Sequence, residues 1–160
     1  MGSGGIAESG IFLHASCVVI GAHGVLLMGE TGSGKSDVTL RLLDRGAKLV
    51  SDDQVIVNKK NNSIIASAPD AIAGLLEVRG LGIFRKERQD AAVLSLAVQL
   101  TEKDRIERLP EPEFYECLGV KIARIYLAPF EASAPVKIEM AVAALYGGTM
   151  MTGAFAQSCE

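Results

Sequence analysis

Gly29-Glu30-Thr31-Gly32-Ser33-Gly34-Lys35-Ser36 meets the pattern Gly-x-x-x-x-Gly-Lys-Ser/Thr at every position. The chemistry that this spacing serves is phosphate binding. Backbone N–H groups of such a loop close around the phosphates of a nucleotide, and glycines permit turns and approaches that a side chain would obstruct. Lys35 then reaches the outer phosphates as a point charge, and Ser36 offers its hydroxyl to Mg²⁺. Asp52 and Asp53 are the second chemical feature. One carboxylate can hold a hydrated Mg²⁺ while the other accepts the proton of an incoming hydroxyl, the division of labour that phosphoryl transfer requires. Close carboxylates also resist double ionisation, which tunes one of them as a base. The plainer role for either acid is to cap the following turn.

Further candidates are less specific. His14 lies in a strand expected beside the P-loop strand and so faces the phosphates or is an ordinary strand histidine. Glu77 and Arg79 flank a glycine-rich connection and suit metal and phosphate, as do many exposed charges. Arg105 and Arg108 occupy a polar loop from which a cation could stabilise a transferring phosphoryl group. His23, in a turn, is assigned no role.

These residues need elements to hold them. Val25-Leu26-Leu27-Met28 reads as a buried strand entering the P-loop, and Ser36 to Arg45 as a helix leaving it, stopped by Gly46. The helix N-terminus thus points at the anion. Ala47 to Val50 resumes extended structure and ends at Ser51-Asp52-Asp53, which makes a βαβ unit with parallel strands and a right-handed crossover. Ile11 to Ile20 is one strand-like run, joined through Gly21-Ala22-His23-Gly24 as a hairpin. Gln54 to Asn58 and Ser63 to Ala66 form a second hairpin around Lys59 to Asn62. Glu77 to Phe84 reads as a tight exposed connection, and Arg85 to Asp90 as a charged loop. Ala91 to Leu100 is a buried strand, Thr101 to Glu113 a mobile polar loop, and Val120 to Leu127 a half-exposed strand of period two. Pro135 opens a helix to about Tyr146. Val136, Met140 and Ala144 lie on one of its faces and Ile138, Val142 and Leu145 on another, a pattern for a helix buried in the core or by another subunit.

The 160 residues allow one domain. Residues 11–150 are expected to form it, with 1–10 a flexible leader, an expression remnant among its possible origins, and 151–160 a C-terminal tail. Lys plus Arg number 16 against 19 Asp plus Glu, which provides no basic field for nucleic acid. Cys17, Cys117 and Cys159 are odd in number and widely spaced, as suits a reducing cytosol. No apolar stretch reaches membrane-spanning length and no signal peptide is visible, so a cytoplasmic protein is expected.

Taken together, Leu13-His14-Ala15, the P-loop, Leu49-Val50-Ser51-Asp52-Asp53 and Glu77-Val78-Arg79-Gly80-Leu81-Gly82-Ile83 resemble the catalytic domain of bacterial HPr kinase/phosphorylase in order and nearly in spacing. The last stretch looks like the family signature and is the most specific piece. The resemblance runs from about Ile11 to Tyr146. It implies a P-loop α/β kinase core of the HPr kinase and PEP carboxykinase type, a mixed sheet with flanking helices. It also implies ATP and Mg²⁺, phosphorylation of a regulatory serine on the phosphocarrier HPr, and the reverse reaction with inorganic phosphate to give pyrophosphate. By the same resemblance Asp53 is the proton acceptor, Ser36 and Glu77 hold the metal, and Asp52 supports the metal and its waters. Lys35 contacts the phosphates, and His14 and Arg108 complete the catalytic set. Arg108 is matched only through Glu107-Arg108-Leu109. The family's hexamers imply self-association.

Two departures stand out. The chain starts almost at the kinase core, like the short forms of some proteobacteria. Ala128-Pro129-Phe130-Glu131-Ala132-Ser133-Ala134-Pro135 carries no arginine where the family commonly has Arg-Pro-Gly-Arg-Asn, which counts against phosphorolysis more than against the kinase reaction. The rival readings are a small-molecule P-loop kinase, which needs an enclosed acceptor pocket, and a nucleotide-sensing binding module, which needs no base.

Overall fold

Apolar side chains alternate along most strands, and the structure uses both sets. The computed structural model describes residues 10–147 and 150–155. Its strands are β1 (Ile11–Leu13), β2 (Ala15–Ile20), β3 (His23–Met28), β4 (Lys48–Ser51), β5 (Val55–Lys60), β6 (Ser63–Ser67), β7 (Leu75–Val78), β8 (Gly82–Arg85), β9 (Ala91–Leu100), β10 (Glu113–Cys117) and β11 (Val120–Leu127). Two helices, α1 (Lys35–Asp44) and α2 (Ala134–Gly147), complete the α/β fold. Nine strands form one mixed sheet in the order β1-β5-β6-β9-β3-β2-β4, with β11 against β9 and β10 against β11, while β7 and β8 pair separately. The side chains of β9 divide between two cores, and the alternation changes face between Leu94 and Leu96, where the register against β3 shifts. Leu96, Val98 and Leu100 join Val25, Leu27, Val38, Leu42 and Ile138 beneath the helices. Ala92, Leu94 and Ala97 join Cys17, Leu26, Val55, Val57 and Ile64 on the other side. Fully burying a Leu or Val side chain contributes roughly 1.5–3 kcal/mol, so β3 and β9, which feed both cores, anchor the fold.

The expected βαβ unit appears with a difference. β2 is antiparallel to both β3 and β4 and lies between them. β3 and β4 therefore run in the same direction, one strand apart, and both end at the same edge of the sheet. α1 ends in a Schellman arrangement, with Ala47 N–H donating to the Leu42 carbonyl at 3.1 Å and Gly46 N–H to that of Leu43 at 3.1 Å. Gly46 has φ +107, the left-handed conformation that this stop requires.

The run from Ile11 to Ile20 is not continuous. It breaks at His14, where the chain leaves β5, the partner of β1, for β3 and β4, the partners of β2. Nor is Glu77 to Phe84 merely a connection. β7 and β8 form a hairpin with Glu77 opposite Ile83, and β7 packs on α1. Glu113, expected to end the polar loop, instead opens β10, and β10 through Cys117 pairs with β11. In α2 one face is buried through Ile138, Ala141 and Val142, whereas Val136 and Met140 are exposed. Ala154 and Phe155, within the expected tail, are buried in the core beneath the helices. The leader up to residue 9, residues 148–149 and residues 156–160, including Cys159, lie outside the described residues.

Candidate active site

α1 begins directly after Gly34, and no side chain caps its N-terminus. Its first-turn N–H groups face the loop, the arrangement that receives phosphate. Two loop glycines are required for different reasons. A Cβ on Gly29 would run into the Ser33 hydroxyl, and Gly34 has φ +101, where a Cβ would also press on Pro129 and the Phe130 ring at 3.0–3.2 Å. Ser33 Oγ is buried and makes no hydrogen bond among the described residues. Lys35 is buried, and its ammonium donates to the carbonyls of Gly29 at 2.7 Å and Glu30 at 3.1 Å, which holds the loop in a ring around the side chain.

Beside the loop, β2 and β4 bring together what the sequence separates. Ser36 Oγ donates to both oxygens of Asp52, at 3.0 and 3.2 Å. Ser16 Oγ donates to Asp52 Oδ1 at 2.9 Å and accepts the Asp53 backbone N–H at 3.0 Å, so one hydroxyl ties the acid pair together. Asp52 is almost fully buried and Asp53 is exposed. Burial pushes the Asp52 carboxyl above its ordinary value. The Ser16 and Ser36 hydroxyls and a backbone hydrogen bond with Glu77 pull it back, and the Asp53 charge adds to the rise. Asp53 has φ +72, uncommon outside glycine though better tolerated by Asp than by most residues. Its side chain is thereby turned out toward solvent beside His14, whose Nε2 lies 3.6 Å from Asp53 Oδ1 and 3.2 Å from Thr31 Oγ1.

His14, the P-loop, Asp52 and Asp53 thus share one edge of the sheet, and Glu77 reaches it through its backbone and through the packing of β7 on α1. The Glu77 side chain is exposed. Arg108 is exposed on the loop after β9 and, among the described residues, forms no hydrogen bond or ion pair with these groups, whereas Arg105 lines a cleft of about 1320 Å³ beside the P-loop. Among the described residues no three His, Cys, Asp or Glu side chains converge. The hard oxygens of Ser36 and Asp52 nevertheless suit Mg²⁺, which binds through one or two protein oxygens, substrate phosphates and water.

Two contributors escaped the sequence reading. Ser16 could have been found, since a hydroxyl inside an apolar strand needs a buried partner. Arg41 carried no such signal. It pairs with Asp37 at 2.8 Å and donates to the carbonyls of Pro129 and, at 3.0 Å, Glu131, which fastens the loop after β11 to α1.

A family model described as HPr Serine kinase C-terminal domain matches residues 6–157. The HPr kinase/phosphorylase of Malacoplasma penetrans is 35% identical over 130 residues, 74% of this chain and 43% of that protein. The protein of the same name from Prosthecochloris aestuarii is 35% identical over 144 residues, 82% of this chain and 42% of the relative. The chain therefore spans under half the length of these relatives. The solved Hpr(Ser) kinase/phosphatase of Coxiella burnetii superposes with a TM-score of 0.74 at 29% identity, covering 82% of this chain and 88% of that one. By sequence and by fold, this chain belongs to the HPr serine kinase C-terminal domain family.

Proposed function

We propose that this chain is an ATP-dependent protein kinase that phosphorylates a serine of HPr or a closely related phosphocarrier protein. The observation that carries the reading is the Ser36–Asp52–Ser16–Asp53 chain of hydrogen bonds at the mouth of the P-loop. It separates the two acids by environment. Asp52, buried and bonded to Ser36, belongs to the metal side, and Asp53, exposed and beside His14, belongs to the acceptor. A nucleotide-sensing module has no need of that division. In the transfer, the seryl oxygen bonds to the γ-phosphorus as the bond to the ADP oxygen breaks, and the seryl proton goes to Asp53. His14 orients Asp53, and Lys35 and the first-turn N–H groups bind the phosphates. Ser36, Asp52 and Glu77 are assigned to Mg²⁺, which when bound neutralises phosphate charge. Arg108 is assigned to the transferring group, with Arg105 as the alternative.

Purified protein with ATP, Mg²⁺ and HPr is expected to yield phosphoserine. Turnover of small hydroxyl compounds without turnover of HPr would instead make it a small-molecule kinase, and ATP binding without transfer would make it a sensor. Phosphorolysis is assigned as a second activity, as in the names of the relatives, with the arginine-free loop Ala128 to Pro135 predicting that it is weak. Pyrophosphate release from serine-phosphorylated HPr on adding phosphate tests it. A cytosolic location and self-association through the exposed Val136 and Met140 of α2 complete the reading.

A further inference from the structure

The sheet order β11-β9-β3-β2-β4 puts the P-loop, which follows β3, between two unlike neighbours. The acids and His14 lie toward β2 and β4. Toward β9 and β11 lies the cleft of about 1320 Å³, bounded by Glu30 to Ser33 on the P-loop side and by the ends of β9 and β11 opposite. If the γ-phosphate faces Asp53, as the proposed function requires, the remainder of the nucleotide leaves the P-loop toward β9 and β11.

Three features of the cleft suit what would arrive there. First, Phe130 lines it and is 72% exposed, so its ring face is open to the cleft. Its backbone is fixed, because Arg41 holds the carbonyls on either side of it, and its ring edge stands close to Gly34, 3.2 Å or less from where a Cβ would be. An exposed aromatic clamped beside a phosphate loop is a preorganised platform for stacking. Second, six carboxylates and three cations line the cleft. Lys103 lies 3.3 Å from Glu131, and Arg124 lies 3.5 Å from Glu113 and over the Tyr126 ring. An acidic wall repels phosphates and accepts hydrogen bonds from ribose hydroxyls and an exocyclic amino group. Third, the cleft is large enough for a nucleoside.

We propose that this cleft is the nucleoside subsite, with Phe130 stacking on the base of a purine nucleotide whose phosphates occupy the P-loop. The assignment rests on the phosphate-site reading, and the test separates the two. ADP and inorganic pyrophosphate are titrated, each with Mg²⁺, into the wild type and Phe130→Ala by calorimetry. ADP affinity is expected to fall about tenfold in Phe130→Ala while pyrophosphate affinity is unchanged. Phe130→Trp restores ADP binding, and because the chain has no other Trp its fluorescence reports the base directly, responding to ADP and not to pyrophosphate. Equal losses for both ligands, or no loss for either, would overturn the subsite. So would unchanged ADP affinity with a raised KM for the phosphocarrier, which would make the cleft a docking surface for the acceptor. A wild type that binds neither ligand would instead sink the phosphate site itself.

Discussion

The two flanks of the P-loop are built on opposite principles. Toward β2 and β4 the polar groups are few, close and bonded to one another, with Ser16, Ser36 and Asp52 largely withdrawn from water and Asp53 held in a left-handed backbone conformation. Toward β9 and β11 the wall is open, acidic and partly aromatic, with its charges paired across 3.3 Å and more. Chemistry tolerates little error in position, since misplacing a reacting group by about 1 Å can cost about a hundredfold in rate. Recognition of a base by stacking tolerates more, because every base has a π-face. The flank with the bonded acids therefore reads as the place of reaction and the open flank as the place of recognition.

The sharpest break between them is expected from Asp53→Asn. Loss of a general base typically costs about 10²- to 10⁴-fold, so phosphoserine formation should fall by that order while ADP and pyrophosphate affinities hold. A variant with near-normal turnover would remove Asp53 from the reaction. Gly34→Ala acts on both flanks at once. Its φ of +101 is strained for alanine, and the new Cβ would lie 3.0 Å from Pro129 and 3.1 Å from the Phe130 ring. A strain of about 1–3 kcal/mol corresponds to about a 5- to 150-fold loss of ADP affinity by calorimetry. Pyrophosphate affinity should fall as well, unlike the pattern expected for Phe130→Ala.

A smaller effect should come from Asp52. Burial raises its folded pKa above the ordinary 3.8, so the folded state keeps this proton to a higher pH than the unfolded chain does. Its contribution to stability is fully present below the unfolded value and is lost as pH rises through the raised one. Asp52→Asn removes that dependence and the cost of burying the charge, while an amide can still accept from Ser16 and Ser36. In metal-free buffer the variant is expected to melt above the wild type at pH 7, with the gap closing toward pH 4, and to lose turnover despite the gain. A gap independent of pH would contradict the assignment of Asp52 as the desolvated partner of the pair.

The reacting flank was the more legible in the sequence, for a physical reason. A P-loop must be contiguous to wrap a phosphate, and an acid pair at a strand end is a local pattern, so Gly29 to Ser36 and Asp52-Asp53 could be read without knowing the fold. What joins them was not local. That β2 inserts between β3 and β4, and so delivers Ser16 and His14, depends on pairings such as Cys17 with Leu26 and Ser51 that no periodicity encodes. β7 and β8 were missed because Gly80 and Gly82, both at positive φ, look like loop punctuation while they shape a hairpin turn. The open flank hid more thoroughly. Phe130 and Arg41 lie 89 positions apart, and nothing in either neighbourhood signals that one clamps the other.

The two flanks should also differ in how easily they open, and the chain carries a reporter on each. Cys17 lies in β2, paired on both sides, and burial pushes its thiol up to about 12. Cys117 closes β10, an edge strand paired among the described residues only with β11, and its thiol is raised by burial as well. Neither thiol reacts as it stands, because the thiolate is the nucleophile, so labelling waits on local opening. An edge strand separates with the loss of one ladder, and β2 only with the loss of two, so β10 is the lower-stability unit. Alkylation at pH 8 followed by peptide mass spectrometry is expected to modify Cys117 before Cys17, with nucleotide slowing both. Earlier modification of Cys17 would show that the bonded flank is the softer one, and the preorganisation assigned to Ser16, Asp52 and Asp53 would then have to come from the bound nucleotide rather than from the fold.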